Sequence, residues 1–398
     1  MIRLGKLMAV IGIFFLGSVS KAEPAPVILL SFDGFRWDYI EAVHTPNLDR
    51  IFENGFRVEA MKPSFPSLTF ANHFTLVTGK HPIHHGIVSN DFHDLVLEKS
   101  YRMYRGEDVV SPEFYGGPAI WEVARQNDLL AAVYFWVGSE MKGREAEIFE
   151  PFDRGTAPQS QIARLLQWTD LAEPPNPALM LAYFSFLDSQ GHRFGPDSPQ
   201  VVFAVQKVDR LMGQLLDGLE KLNREVNVVV VSDHGMARLH ETVMLVEDVE
   251  KAVGESHLLR AANNYSQLDI YLKESATERI DEIMARLPVA DGFQWYRRED
   301  VPFPTHEARN GHIMGLASIG YEFKWRKGKP YVGSHGYDPS HSEMWAACFG
   351  LGPGFVPGSS IAKVNSVDVF PLLCHLLKMP SPPTDGTLDV WKPVLAND

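Results

Sequence analysis

Three apolar, β-branched runs in this chain each stop at a carboxylate: VILLSFD at Asp33, LAYFSFLD at Asp188 and VNVVVVSD at Asp233. Unbroken Val, Ile and Leu suit a strand covered on both faces, the situation inside a parallel sheet with helices above and below. Amphipathic stretches lie between the runs. Across 199–222, Val202, Val205, Val208, Leu211, Leu215 and Leu219 recur at helical spacing. Strand alternating with helix predicts an α/β fold: an open, mainly parallel sheet flanked by helices, with active residues in loops beyond the carboxyl ends of the strands. Asp33, Asp188 and Asp233 would then share one edge.

The pattern changes at about 238. From there to 333 the segments are short and mixed (LDIYLK, GFQWYRRED, GYEFKWRKGKPY), which predicts a smaller α+β insertion at 238–333 within a catalytic domain made of 23–237 and 334–398. MWAACFGLGPGF then resumes an apolar strand, and 366–378 reads as a closing helix. Residues 1–22 place Arg3 and Lys6 ahead of an apolar run from Leu7 to Leu16, with small Ser20 and Ala22 at the end. That order predicts a signal peptide and an exported protein, periplasmic or secreted. The run is too short for a membrane-spanning helix, so no stable span is expected after cleavage. The chain carries a formal net charge of −13, and the leader holds no acids. Such an acidic body disfavours long nucleic acid and points to small substrates drawn in by local cations. Cys348 and Cys374 have no metal-site spacing; a disulfide and two buried thiols both remain open. Asn264-Tyr265-Ser266 forms a glycosylation sequon, relevant only in a eukaryotic host.

Asp33, Asp188, His192, Asp233, His234 and His335 make a set of oxygen and imidazole donors suited to zinc, with no thiolate. Singly, an aspartate at a strand end is an ordinary cap or turn residue and a lone histidine an ordinary surface or core residue. Three carboxylates converging on one sheet edge are different, because they repel unless cations neutralise them. Thr69, in KPSFPSLTFANHFTLVTG, follows Pro63 and Pro66 and precedes a helix-like run, which puts it at or near a helix N-terminus. Backbone N–H groups and the helix dipole favour phosphate there, although a threonine at this position is also a routine N-cap.

The segments SFDGFRWDYI, PSLTFANHFTLVTGKHPIHHGIVSND, FLDSQGHRFGPDS, SDHGM and GSHGYDP stand in the order found in nucleotide pyrophosphatase/phosphodiesterases, a family of the alkaline phosphatase superfamily, which the chain resembles from about 27 to 378. The resemblance implies an alkaline-phosphatase-like fold and two Zn2+ side by side. Asp188, His192 and His335 would hold one; Asp33, Asp233 and His234, with Thr69, the other. It further implies that Thr69 attacks phosphorus to give a threonyl-phosphate intermediate, and that Asn90 donates a hydrogen bond to a phosphoryl oxygen. Phe70, Tyr183 and, on weaker alignment, Phe152 would line a nucleoside pocket. Read without the resemblance, the three rings fit a core better than a pocket. Asn72, His73, His84 and His85 read as structural.

The expected activity is hydrolysis of nucleotide phosphodiester or pyrophosphate bonds. The same metal set would serve a choline-lipid or lysophospholipid phosphodiesterase, and it could persist in a non-catalytic metal-dependent binding protein, against which the retained Thr69 argues. A monoesterase or a sulfatase fits less well, since neither a matching serine nor a cysteine occupies the nucleophile position.

Overall fold

The computed structural model describes residues 24–397 apart from 173–175, 241–242 and 326–330. The expected leader, 1–22, lies outside the described residues. Eight strands form the main sheet, in spatial order Ser359–Asn365, Gly55–Lys62, Ala346–Leu351, Asn227–Val231, Val27–Phe32, Leu179–Phe184, Ala131–Tyr134 and Ile148–Glu150. Ala346–Leu351 runs antiparallel to both neighbours, and the remaining adjacent pairs are parallel. The expected α/β architecture is therefore present.

The central strand shows why its sequence does not alternate. Val27 and Leu29 pack into one core, while Ile28, Leu30 and Phe32 pack into the core on the opposite face. Each such side chain contributes roughly 1.5–3 kcal/mol by leaving water, so both faces select for apolar residues. Helix Pro199–Leu222 covers the second face with Val201, Val205, Val208, Leu211, Leu215 and Leu219; Ser198 Oγ caps its start by accepting from Val201 N at 3.3 Å. On the same helix Asp209 is buried and accepts from the N–H groups of Asn47 and Leu48 at 2.8 and 3.0 Å, supplying the cap that the side chain of Thr45, ahead of helix Pro46–Asn54, does not provide.

One strand ends earlier than its sequence suggests. Leu179–Phe184 stops at Phe184, and Asp188 lies instead in the first turn of helix Phe186–Phe194. Hydrophobicity does not mark the switch, because Phe186 and Leu187 keep the run apolar. The helix puts His192 one turn beyond Asp188 on the same face, and the Asp188 carboxylate complements the helix N-terminus.

Between Ala237–Arg238 and Gly333–Ser334, which pair with each other, the chain builds a four-stranded antiparallel sheet in the order Leu258–Asn263, Gln267–Leu272, Ile313–Ala317, Phe293–Arg297, with helix Val246–Val253 against it. Arg309 fastens this unit to the main domain: Nε donates to Asp94 at 2.7 Å, Nη1 to the Gly86 carbonyl at 2.7 Å and Nη2 to that of Glu113 at 3.1 Å. Val369–Leu376 is the closing helix. Cys348 and Cys374 are both buried free thiols. Among the described residues no helix is long and apolar enough to cross a membrane.

Candidate active site

At the carboxyl edge of the main sheet the turns after Phe32 and Val231 deliver Asp33 and Asp233, and helix Phe186–Phe194 delivers Asp188 and His192. The turn after Asp33 needs glycine: Gly34 has φ +69°, and a Cβ there would lie 3.0 Å from Asp188 Cα. Gly235 is as constrained, since its Cβ would sit 2.1 Å from the Glu343 carbonyl. His335 arrives on the return from the antiparallel sheet. Asp33, Asp233 and His234 bring one ligand atom each within 4.8 Å of one another, as do Asp188, His234 and His335. His192 Nε2 joins the second group at 3.4 Å from Asp188 Oδ1, and His335 Nε2 lies 3.7 Å from the same oxygen. The six expected ligands thus gather in one place, with His234 between the two sets.

Two features show that this cluster fits cations. The first is tautomeric. His192 Nδ1 lies 2.9 Å from the Gly333 carbonyl, His234 Nδ1 2.9 Å from that of Gly235 and His335 Nδ1 3.0 Å from that of Ser67. A carbonyl only accepts, so each Nδ1 carries the proton and each Nε2 lone pair is turned into the cluster. The second is that Asp33 Oδ1, Asp188 Oδ1 and Asp233 Oδ2 are buried with no hydrogen-bond partner among the described residues. A protein does not ordinarily leave buried carboxylate oxygens so. Without a cation the cluster is only partly compensated. Burial, then Asp233 and Asp188, push the Asp33 carboxyl well above its usual range, and burial, then His234 and His192, push His335 well below its own. For Asp233, by contrast, burial is outweighed by His234 and His73, which hold it well below the usual range.

Thr69 is the first residue of helix Thr69–Thr78, and its Oγ1 lies 3.2 Å from His234 Nε2. The approach is rigid. Asn72, fully buried, donates to the carbonyls of Ser64, Pro66 and Leu68 at 3.2, 2.9 and 3.2 Å and accepts from Ser64 N at 2.7 Å. His73 Nδ1 donates to the Thr69 carbonyl at 2.9 Å, and its Nε2 lies 2.8 Å from Ser31 Oγ. Asn90 Oδ1 accepts from Phe70 N at 2.9 Å, one of the open N–H groups at the helix start. Its Nδ2 has no partner among the described residues and is free to donate.

The three aromatic residues divide. Phe152 is 40% exposed and meets Phe135 at 4.6 Å, and half-buried Phe70 packs against Tyr101 at 6.2 Å. Tyr183 is only 8% exposed, and its hydroxyl donates to Asp33 Oδ2 at 2.5 Å. Its ring meets Phe135, Phe152 and His73, so this residue offers the site a hydrogen bond to a carboxylate more than a stacking face. Strand register held the signal: Ser31 is paired with Tyr183, which puts Tyr183 and Asp33 on the same face of adjacent strands. His85 is fully buried, with burial driving its pKa down to about 3, and exposed His84 contacts Asp385 at 2.6 Å; both lie outside the cluster.

Comparison with known proteins agrees with this geometry. A pyrophosphatase/phosphodiesterase of Schizosaccharomyces pombe, itself uncharacterised, is 33% identical over 397 residues, covering 93% of this chain and 80% of that protein. The venom phosphodiesterase of Naja atra is 31% identical over 385 residues, covering 92% of this chain; the chain spans 46% of that enzyme's length. Among solved structures, murine ectonucleotide pyrophosphatase/phosphodiesterase 5, an inactive threonine-to-alanine variant in complex with AMP, superposes with a TM-score of 0.85 at 28% identity, covering 94% of this chain and all of that one. Residues 27–338 match the family described as type I phosphodiesterase/nucleotide pyrophosphatase, and with relatives aligned over nine-tenths of its length the chain belongs to that family.

Proposed function

We propose that this chain hydrolyses nucleotide phosphodiester and pyrophosphate bonds, releasing 5′-nucleotides and, from a nucleoside triphosphate, pyrophosphate, with Thr69 as nucleophile. The observation that carries the proposal is the Thr69 hydroxyl at the head of its helix, 3.2 Å from His234 Nε2, beside buried carboxylate oxygens that accept no hydrogen bond from the described residues. Asp33, Asp233 and His234, with Thr69 Oγ, would hold one divalent cation, and Asp188, His192 and His335 another; zinc suits this donor set. Such cations supply charge neutralisation at the phosphoryl oxygens and lower the pKa of the hydroxyl.

The chain's own residues do the rest. Thr69 Oγ gives its proton to solvent and bonds to phosphorus as the bond to the leaving oxygen breaks on the opposite side, giving a threonyl-phosphate and a leaving group whose charge is met by a proton from solvent; water then displaces Oγ, and one of its protons returns to the threonine. Asn90 Nδ2 donates to a non-bridging oxygen. Phe70 and Phe152 supply half-open ring faces for the base. Among the described residues Arg36, three residues after Asp33, offers no clamp to the phosphate, since it is committed to Asp38 at 2.6 Å and the Met236 carbonyl at 3.0 Å. A neutral amide suits a diester with one non-bridging charge better than a dianionic monoester. An inactive threonine variant of the murine relative, bound to AMP, is in keeping with both the nucleophile and the nucleotide. The leader-like pattern of residues 1–22 favours export, which N-terminal sequencing of protein recovered outside the cytoplasm tests.

Thr69→Ala is expected to lower turnover of p-nitrophenyl thymidine monophosphate at least about 1,000-fold while keeping its divalent metal. Undiminished turnover would remove the nucleophile. Cleavage of lysophospholipids with none of ATP would keep the metal centre and move the substrate class to choline lipids.

A further inference from the structure

Asn264 opens the turn between strands Leu258–Asn263 and Gln267–Leu272, followed by Tyr265 at φ +64°, a left-handed backbone that a bulky residue seldom adopts. Its side chain is 3% exposed and reaches across to the main domain. Oδ1 accepts from Asp91 N at 2.9 Å; Nδ2 donates to the Asp91 carbonyl at 2.9 Å and to Ser89 Oγ at 3.2 Å. One amide thus pairs with both backbone groups of Asp91, as a neighbouring strand would. Ser89 Oγ in turn donates to the Asp91 carbonyl at 2.7 Å. Arg260, from the same antiparallel sheet, donates to the Phe92 carbonyl at 2.7 Å and pairs with the Asp91 carboxylate. These contacts hold the residues on either side of Asn90 and leave Asn90 itself untouched. They also occupy the sequon asparagine's amide nitrogen inside the fold, which excludes a glycan there.

We propose that Asn264 is a positioning residue for Asn90, through which the antiparallel sheet sets the efficiency of a centre to which it gives no ligand. The inference rests on the role assigned to Asn90 in the proposed function. A donor to a phosphoryl oxygen acts only if its nitrogen is held close to the right place, and a displacement of about 1 Å costs up to about 100-fold in rate. Asn90 is half-exposed on a loop. Its side chain is fixed by one bond from Phe70 N, and the path of its backbone is fixed by Met103 N and by the Asn264 clamp.

The test is a double-mutant cycle on the full chain with p-nitrophenyl thymidine monophosphate. Asn264→Ala should lower kcat about 10-fold with KM changed less than about twofold, and Asn90→Ala should lower kcat about 100-fold. The double variant should be no slower than Asn90→Ala alone, with cation content unchanged in all three. A further 10-fold loss in the double variant, or an unchanged kcat in Asn264→Ala, would overturn the inference. Should Asn264→Ala fail to fold, Ser89→Ala removes one acceptor of the clamp without opening the turn and enters the same cycle, where an effect independent of Asn90→Ala would overturn the inference equally. A wild-type kcat in Asn90→Ala alone would instead strike the underlying role of Asn90.

Discussion

Two buried carboxylate sites in this molecule are built in opposite ways. In the antiparallel sheet Asp269, 1% exposed, receives the Gly311 N–H at 2.8 Å, Gln267 Nε2 at 2.5 Å and Asn310 Nδ2 at 3.4 Å, so both its oxygens are served by the protein. At the edge of the main sheet Asp33 and Asp233 are as deeply buried, yet each has one oxygen served and one left bare. Tyr183 reaches Asp33 Oδ2, and Gly34 N reaches Asp233 Oδ1 at 3.2 Å. The fold can satisfy a buried carboxylate when it only has to hide one. Where it withholds donors from several oxygens that face the same imidazole lone pairs, the arrangement fits a cation as the partner.

The largest effect that would test this contrast is Asp33→Asn. It should lower diesterase turnover about 1,000-fold or more and cost the protein part of its divalent metal by elemental analysis. Adding a chelator should lower the melting temperature of the wild type, which gains stability from a ligand bound only to the folded state, and do less to the variant. Equal melting shifts would erase the distinction between the sites. A smaller effect is expected from Tyr183→Phe, which keeps the ring and deletes the bond to Asp33. Metal affinity, measured by competition with a chelating dye, should weaken about 10- to 100-fold. A raised KM for nucleotides at full metal affinity would return Tyr183 to the role of a stacking wall.

The smallest effect on activity belongs to Asp269→Asn, which should leave turnover and metal content as they are. Its signature is in stability. Burial raises the Asp269 carboxyl to about 6 from the ordinary 3.8, so the folded chain holds a proton that the unfolded chain has released between those values. The protonated carboxyl therefore favours folding below about pH 4, and that contribution, of order 3 kcal/mol, is lost as pH rises through 6. Chemical denaturation at pH 4 and pH 7 should show this slope in the wild type and a shallower one in the variant. Parallel slopes would mean that the donors around Asp269 already hold it ionised.

Much of the architecture was legible in the sequence because burial on two faces leaves a plain mark. Runs such as VILLSF and NVVVV read as central strands, and the apolar spacing in 199–222 reads as the helix that covers them. Val202 shows the limit of that spacing, since it sits at the edge of the buried face while Val201 points inward. The residues that gather at the sheet edge were legible through their motifs, and the place of Thr69 at a helix start through the prolines before it and the apolar run after it. Asp188 was misplaced onto a strand end because nothing in an apolar run announces where strand gives way to helix. Tyr183 and Asn264 escaped for another reason. What matters about each is a hydrogen bond to a distant segment, and the chain carries no local trace of it.

Gly235 fixes the neighbouring His234 locally, but the carbonyls that fix His335 and His192 come from Ser67 and Gly333, remote stretches brought together only by completion of both the sheet and the excursion beyond it. In a partly assembled chain those rings would flip between tautomers and grip a metal ion weakly. A cation bound there would load only once the polypeptide has finished folding, and would then act as a seal across its most distant parts.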